Sequence, residues 1–519
     1  MLRFRPKTAQ RAIIRRCFIG CVIVIVIAAA GLQLRRWTWA KTEQIRFQHD
    51  IDNGLYWGNR VIEEGETLTG RQMPADGFDS WKVFFTGYFA LYDQVKREAY
   101  GGDYHLDYPP LRLLVMALWA KHTRRLHPDA NVVVHPEAVM PMLGCNLFCE
   151  AGGTVAMFLL VRIWIRRDSN RAPPFLLRRV SQEDRGWVAG LLAASLVWLN
   201  PSVILEAYGW PQWDVWVLPF FLFAALTASL DRWLCCGCIL ALGGMLKGQL
   251  LLVAPFFVLW PIWLCRWKAA FHVLLGFAAT AAGLVSPWLL HNNFDWLQVG
   301  FLYGTEHYPQ LFISSCYNLP ALLARSGWSL KDALVNVDVG WLSVSLTVQW
   351  ALRLLYFGGL AACARFAAHR SQRSDARVLL ALGAPWLLMF GLLGQMHERY
   401  LIWGGAVTAV AVAISLRTTL LHVLFTALST VMIGHVMLLD KKLPPTLGLI
   451  AFLNTKEALG AVIFLGASAA YLGLMARPFK VSVCGPDHGK QTTGPLRREM
   501  KTRQPIEKVP LPIVVVSPG

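Results

Sequence analysis

The chain has 519 residues, 55% of them hydrophobic and 16% charged, with a mean hydropathy of +0.42. A soluble chain carries about 25% charged residues and, at this length, several domains; here apolar runs of ~15–25 residues recur instead, the length that crosses a bilayer. The net charge of +18 is read as basic segments that flank spans and face the cytoplasm, not as a nucleic-acid surface.

The 22 Trp and 13 Tyr suit a protein anchored at two membrane interfaces. The 11 cysteines are odd in number. Cys17, Cys21, Cys145, Cys149, Cys235, Cys236, Cys238, Cys265 and Cys363 lie in or beside apolar runs, so they read as packing residues rather than a disulfide framework. No His or second Cys pair at ligand spacing follows Cys235-Cys236-Gly237-Cys238, which argues against a metal there.

In chain order, Arg3, Arg5, Lys7, Arg11, Arg15 and Arg16 precede an apolar run from Cys17 to Leu34. The later spans favour an uncleaved anchor with a cytoplasmic N-terminus, residues 1–16, over a signal peptide. A polar first outer loop follows, residues 35–137. Within it Pro109 to Ala120 is apolar but, at about twelve residues against the ~17 a span needs, reads as a helix on or in the outer leaflet, started by its prolines. If that helix spanned, Arg166, Arg167, Arg171, Arg178 and Arg179 would fall outside, against the positive-inside rule.

The remaining spans are expected at 138–163, 187–205, 215–230, 233–246, 250–264, 269–290, 341–364, 378–394, 400–416, 418–438 and 459–476. Arg266 and Lys268, then Arg365, Arg370, Arg373 and Arg377, then Arg417 thereby occupy inside loops. A second long outer loop covers 291–340, and a basic, Pro-rich, disordered cytoplasmic tail covers 477–519. The expected fold class is all-α, a polytopic membrane helix bundle of about twelve spans with both termini inside. No internal repeat is visible, which counts against a transporter built from inverted halves.

Five polar constellations interrupt the apolar pattern: Asp50-Ile51-Asp52, Leu106-Asp107-Tyr108-Pro109-Pro110-Leu111, Trp210-Pro211-Gln212-Trp213-Asp214, Leu246-Lys247-Gly248-Gln249 and Met396-His397-Glu398-Arg399-Tyr400-Leu401. In this topology all five lie at the outer face. Charges at span ends are costly and mark function or pairing. A carboxylate such as Asp50 or Asp52 can take a proton from a hydroxyl nucleophile. Lys247, His397 and Arg399 can stabilise a departing phosphate. Each also has a plainer reading. Asp50 or Asp52 can be a solvated acid or helix cap, Asp107 a turn former, Asp214 a partner of a nearby cation, Lys247 a snorkelling lysine, and His397-Glu398-Arg399 an internal salt-bridge cluster.

At these residues the chain resembles a GT-C fold glycosyltransferase, the membrane class that uses polyprenyl-phosphate sugars. Leu106 to Leu111, LDYPPL, resembles a stretch in the first lumenal loop of the dolichol-pathway glucosyltransferases. Met396 to Leu401, MHERYL, resembles their HEKSIL-type segment and that of bacterial relatives. Asn200-Pro201 with Gly209 to Asp214 resembles the bacterial pattern NP…WGQVD. The resemblance covers about residues 17–476 and implies a GT-C-like transmembrane domain there.

It further implies that Asp50, seven residues before Trp57, is the general base, with Asp52 the alternate. Lys247, His397 and Arg399 would bind the donor phosphate, and Asp107, Tyr108, Gln212, Asp214, Glu398 and Asn318 the substrates. Pro211 and Trp213 depart from the family's Gly and Val, which puts a direct role for Asp214 in doubt, and Asn318 is equally a helix-start residue. The implied reaction is inverting transfer of a monosaccharide from a polyprenyl-phosphate donor to a hydroxyl of a glycan, lipid-linked or protein acceptor, without a metal or other cofactor. The partners are those substrates and membrane lipids, with no nucleic acid. The Trp-Pro-Gln-Trp-Asp segment leans toward a bacterial plasma membrane over the endoplasmic reticulum. The rival reading is a transporter or lipid flippase.

Overall fold

The computed structural model describes residues 7–477 except 75, 100–102, 129–131, 133, 169–174, 304–315 and 341, so the expected tail lies almost wholly outside the described residues. Residues Met1–Ala476 form one compact unit. It is built of helices: α1 (Lys7–Lys41), α2 (His49–Thr69), α3 (Phe78–Glu98), α4 (Pro110–Leu126), α5 (Met140–Arg167), α6 (Arg185–Trp198), α7 (Pro201–Ile204), α8 (Val217–Ser229), α9 (Trp233–Leu246), α10 (Gln249–Val253), α11 (Pro255–Trp263), α12 (Trp267–Leu290), α13 (Leu319–Arg325), α14 (Val348–Gln372), α15 (Val378–Leu392), α16 (Leu401–Val407), α17 (Leu416–Lys441) and α18 (Leu447–Ala476).

Seven helical segments among the described residues are long and apolar enough to cross a membrane: Phe18–Lys41, Pro136–Arg167, Arg185–Gly209, Trp267–Leu290, Val348–Gln372, Leu416–Lys441 and Pro444–Ala476. They leave large apolar side chains such as Phe18, Ile25, Phe271, Leu290, Leu354 and Phe452 exposed, a pattern suited to lipid contact and far beyond the apolar patches of soluble monomers. Four other expected spans are shorter apolar helices, Asp214–Ser229, Trp233–Leu246, Gln249–Trp263 and Val378–Leu392. The expected span at 400–416 is helix α16 running into a 3-10 stretch, Thr408–Ala413, with every residue of both buried. It is an interior element.

The shortness has a local cause. The helices stop where the polar motifs stand: α7 passes into a π-helical turn, Leu205–Gly209, before Trp210, α9 ends at Lys247, and α15 ends just ahead of His397. Irregular backbone at membrane depth is tolerated only when protein buries it or it lines a cavity.

The first polar stretch is helical. α4 starts with Pro110 at its first position, as the sequence predicts, but runs to Leu126. It packs with α2, which packs in turn on α3. The expectation of an all-α chain is corrected at one place. β1 (Ala333–Val339) and β2 (Leu342–Thr347) form an antiparallel hairpin, and the helix expected from 341 begins at Val348. Val and Leu alternate there with Asn, Asp, Ser and Thr, the period of a strand rather than a helix. The last helix also begins earlier than expected, at Leu447 rather than 459.

Two glycines set the α9–α12 crossing. A Cβ on Gly237 would lie 2.0 Å from the Val273 carbonyl oxygen, and one on Gly276 would lie 2.2 Å from that of Leu234. Small residues at such crossings let helix backbones meet. Gly276→Leu is therefore expected to force the pair apart, costing about 1–3 kcal/mol and lowering the thermal midpoint of the detergent-solubilised protein. Gly283→Leu in the same helix, where a Cβ meets nothing within 4 Å, leaves it unchanged.

Candidate functional site

Four breaks between helices and the first turn of α2 meet at one place. Its centre is Asp214, fully buried between two cations. One carboxylate oxygen pairs with Lys247 Nζ and the other accepts from Arg399 Nε at 2.9 Å. The Asp214 backbone oxygen accepts from Trp403 Nε1 at 2.8 Å, which ties the site to α16. A carboxylate removed from water needs such partners, because an unpaired buried charge is prohibitively costly.

Asp50 stands on the other side of Arg399. Its Oδ2 accepts from the Trp210 indole Nε1 at 2.9 Å and lies 3.7 Å from Arg399 Nη1, an ion pair beyond hydrogen-bond length. Burial pushes the Asp50 carboxyl up, but Arg399, the Trp210 hydrogen bond, nearby Gln212 and Lys247 outweigh it and hold the group below its ordinary value. Asp50 is not a helix cap. It lies in the first turn of α2, which begins at His49, where the helix dipole also favours an anion. Asp52 is exposed and does not join the cluster through any of the contacts that hold Asp50.

The other expected residues fall around this core. Asp107 is exposed yet close enough to Lys247 and Tyr400 to act on them electrostatically. Tyr108 is buried against Trp213, with ring centroids 5.7 Å apart, and its hydroxyl has no hydrogen-bond partner among the described residues. Gln212 is fully buried, and neither of its amide atoms reaches hydrogen-bond geometry with a described residue. His397 is half-buried and meets the Tyr400 ring edge-on at 5.2 Å. Glu398 is buried, 3.9 Å from His397 Nδ1, with Oε2 unbonded.

Asn318 behaves as a helix-start residue. Its Oδ1 caps α13 by accepting from Ala321 N at 2.9 Å. The segment still borders the site, since Cys316, expected in an outer loop, is buried and donates to the Met396 carbonyl at 2.9 Å.

The doubt over Asp214 resolves into a structural assignment: the carboxylate joins the two cations, whatever stands at 211 and 213. Three further residues escape the sequence reading. Glu206, in the π-helical turn, is fully buried with both carboxylate oxygens unbonded among the described residues, and it acts electrostatically with Arg399, Lys247 and Asp50. The available signal was an acid beginning where the apolar run 187–205 ends. Arg112 stacks its guanidinium on Tyr108 at 3.7 Å and on Trp213 at 4.3 Å; a lone cation inside the apolar 109–120 stretch was its signal. Tyr400 stacks on Trp403 at 4.8 Å and faces Lys247 at 5.2 Å, closing one wall. A separate buried pair, Arg35 with Glu150, joins α1 to α5 within the spans, where the sequence reading placed ionisable groups mainly at span ends.

No protein-family model matches the chain, and comparison with curated proteins finds no match.

Asp214→Asn leaves Lys247 and Arg399 buried beside a neutral amide. Breaking a buried pair costs on the order of 3–5 kcal/mol, so the variant should melt well below the parent in a detergent thermal-shift assay. A melting temperature equal to the parent's would refute the central role of Asp214.

Proposed function

We propose that the chain is an integral membrane glycosyltransferase that moves a monosaccharide from a polyprenyl-phosphate donor to an acceptor hydroxyl on the outer side of the membrane, with inversion. The observation that carries this reading is the placement of an ionised, half-buried carboxylate, Asp50, in an ion pair 3.7 Å from the guanidinium of Arg399. The sequence separates these groups by about two-thirds of the chain. A carboxylate base and a guanidinium side by side at one site are the two kinds of group that sugar transfer from a phosphate requires.

In this reading the acceptor O–H gives its proton to Asp50 as its oxygen attacks the anomeric carbon. The bond from that carbon to the phosphate oxygen breaks, and its electron pair leaves with the polyprenyl phosphate. Arg399 donates through Nε to Asp214, which turns its Nη edge toward Asp50; that edge suits phosphate. Lys247, pinned by the same Asp214, adds positive charge, and His397 adds an imidazole donor. Preorganised groups aimed at developing charge are usually the largest catalytic term. Glu206 and Glu398 offer unbonded oxygens as acceptors for sugar hydroxyls, and the Arg112–Tyr108–Trp213 stack gives a sugar an aromatic wall. Phosphate is already a competent leaving group, so the scheme routes no step through a metal.

One observation favours a second reading. Glu206 and the Arg35–Glu150 pair lie within apolar spans, and buried intramembrane ionisable groups mark ion or substrate paths in carriers. A carrier has no transfer chemistry to lose.

Purified protein incubated with a panel of polyprenyl-phosphate sugars and acceptors separates the two. Asp50→Asn should keep donor binding and lose transfer by about 10²–10⁴-fold; unchanged transfer, or none with any donor in the parent, would sink the transferase reading. The acid limb of the rate profile gives a further check. A carboxyl held low stays a base until pH falls through its depressed value, so activity persists into mild acid. Trp210→Phe removes one of the groups holding Asp50 down, and its acid limb should move to higher pH.

A further inference from the structure

We propose that His127, His135 and Glu137 form a transition-metal site, distinct from the Asp50–Arg399 cluster, that clips the end of α4 to the start of α5. His127 is the residue that closes α4, and His135 and Glu137 bracket Pro136 in the turn that leads into α5. Three potential ligand atoms, one from each residue, lie within 4.8 Å of one another. His127 Nε2 is 3.4 Å and His135 Nδ1 3.5 Å from the same oxygen, Glu137 Oε1.

Those lengths fit the edges of a metal site. A histidine–carboxylate hydrogen bond is ordinarily about 2.7–3.2 Å; both separations are longer, and His135 with Glu137 makes at most a long one. Ligand atoms held about 2.0–2.2 Å from a tetrahedral metal are separated by roughly 3.3–3.6 Å along each edge, and both separations match. The two imidazoles stack at 4.4 Å with 25° between planes. Two imidazolium rings would repel in that arrangement, whereas a metal takes both as neutral ligands.

The donor set names the class of ion. Two imidazole nitrogens and one carboxylate suit zinc, and also cobalt or nickel, whereas magnesium and calcium want oxygen ligands. The side chains are 21%, 28% and 53% exposed for His127, His135 and Glu137, so water can take the fourth position. The effect on the fold is local and specific. Ala138, next to Glu137, accepts from Trp119 Nε1 of α4 at 2.8 Å, and the Trp119 ring reaches within 3.2 Å of a Cβ at Gly54, one turn along α2 from Asp50. A metal here stiffens the platform on which α2 rests and takes no part in sugar transfer.

The test uses the full chain in detergent, purified on a tag free of histidine, dialysed against equimolar zinc and analysed for bound metal, with cobalt(II) as a spectroscopic probe. The parent should retain about one zinc per chain, show the visible bands of four-coordinate cobalt and melt higher with zinc. His127→Ala/His135→Ala should lose all three, while the control His105→Ala keeps them. Should the double variant fold poorly, His135→Cys decides: a thiolate replacing the imidazole keeps the metal and adds a sulfur-to-cobalt charge-transfer band. No bound zinc in the parent, equal zinc in the double variant, or a His135→Cys spectrum without that band would each overturn the proposal.

Discussion

The carboxylate of Asp214 is the contact on which the rest of the site depends. It is fully buried and touches both Lys247 and Arg399. Neither cation could stand inside an apolar bundle alone, and neither could the carboxylate, because removing one member of such a group leaves an uncompensated charge in a low dielectric. The three residues come from three different helix breaks, so a requirement of electrostatics becomes a constraint on topology. The ends of α7 and its π-helical turn, of α9 and of α15 must all arrive at one point.

The same constraint explains why several apolar helices are shorter than a bilayer is thick. Each polar motif replaces a turn of helix with backbone that cannot satisfy itself in lipid, so the motifs retreat to the interior, where neighbouring elements cover them. Lipid-facing length is supplied by the seven long segments, whose exposed apolar side chains form the outside of the bundle. Tight crossings such as Gly237–Gly276 bring the backbones close enough to enclose the centre.

Arg399 has two directions of engagement, and they differ in kind. Its Nε is committed to Asp214 at hydrogen-bond distance. Its Nη1 faces Asp50 at a longer, ion-pair distance of 3.7 Å. Trp210 holds Asp50 from the side, so the carboxylate is oriented by an indole while its charge is balanced by the guanidinium. Among the described residues, the unbonded oxygens of Glu206 and Glu398 and the unbonded hydroxyl of Tyr108 add polar groups with unspent hydrogen-bonding capacity around the same centre. Buried polar groups are ordinarily satisfied, and a concentration of exceptions in one place marks where a polar ligand would be received.

The long apolar runs, the helix that starts at Pro110 and the five polar constellations are legible in the chain alone, because apolar periodicity, proline geometry and the cost of charge near lipid are local properties. The preference for Asp50 over Asp52 came from the resemblance; the two neighbours differ in exposure, Asp52 being exposed and Asp50 half-buried. Which charges pair follows from how the helices pack. Asp214 with Lys247 and Arg399, and Arg35 with Glu150, are separated by 33, 185 and 115 positions, and pairing over such distances depends on how the helices pack rather than on any local pattern. Glu206 stayed hidden for the same reason, since its neighbours arrive from other segments. The hairpin at 333–347 was missed because a short alternating run beside a span reads as part of it until strand pairing gives its backbone partners.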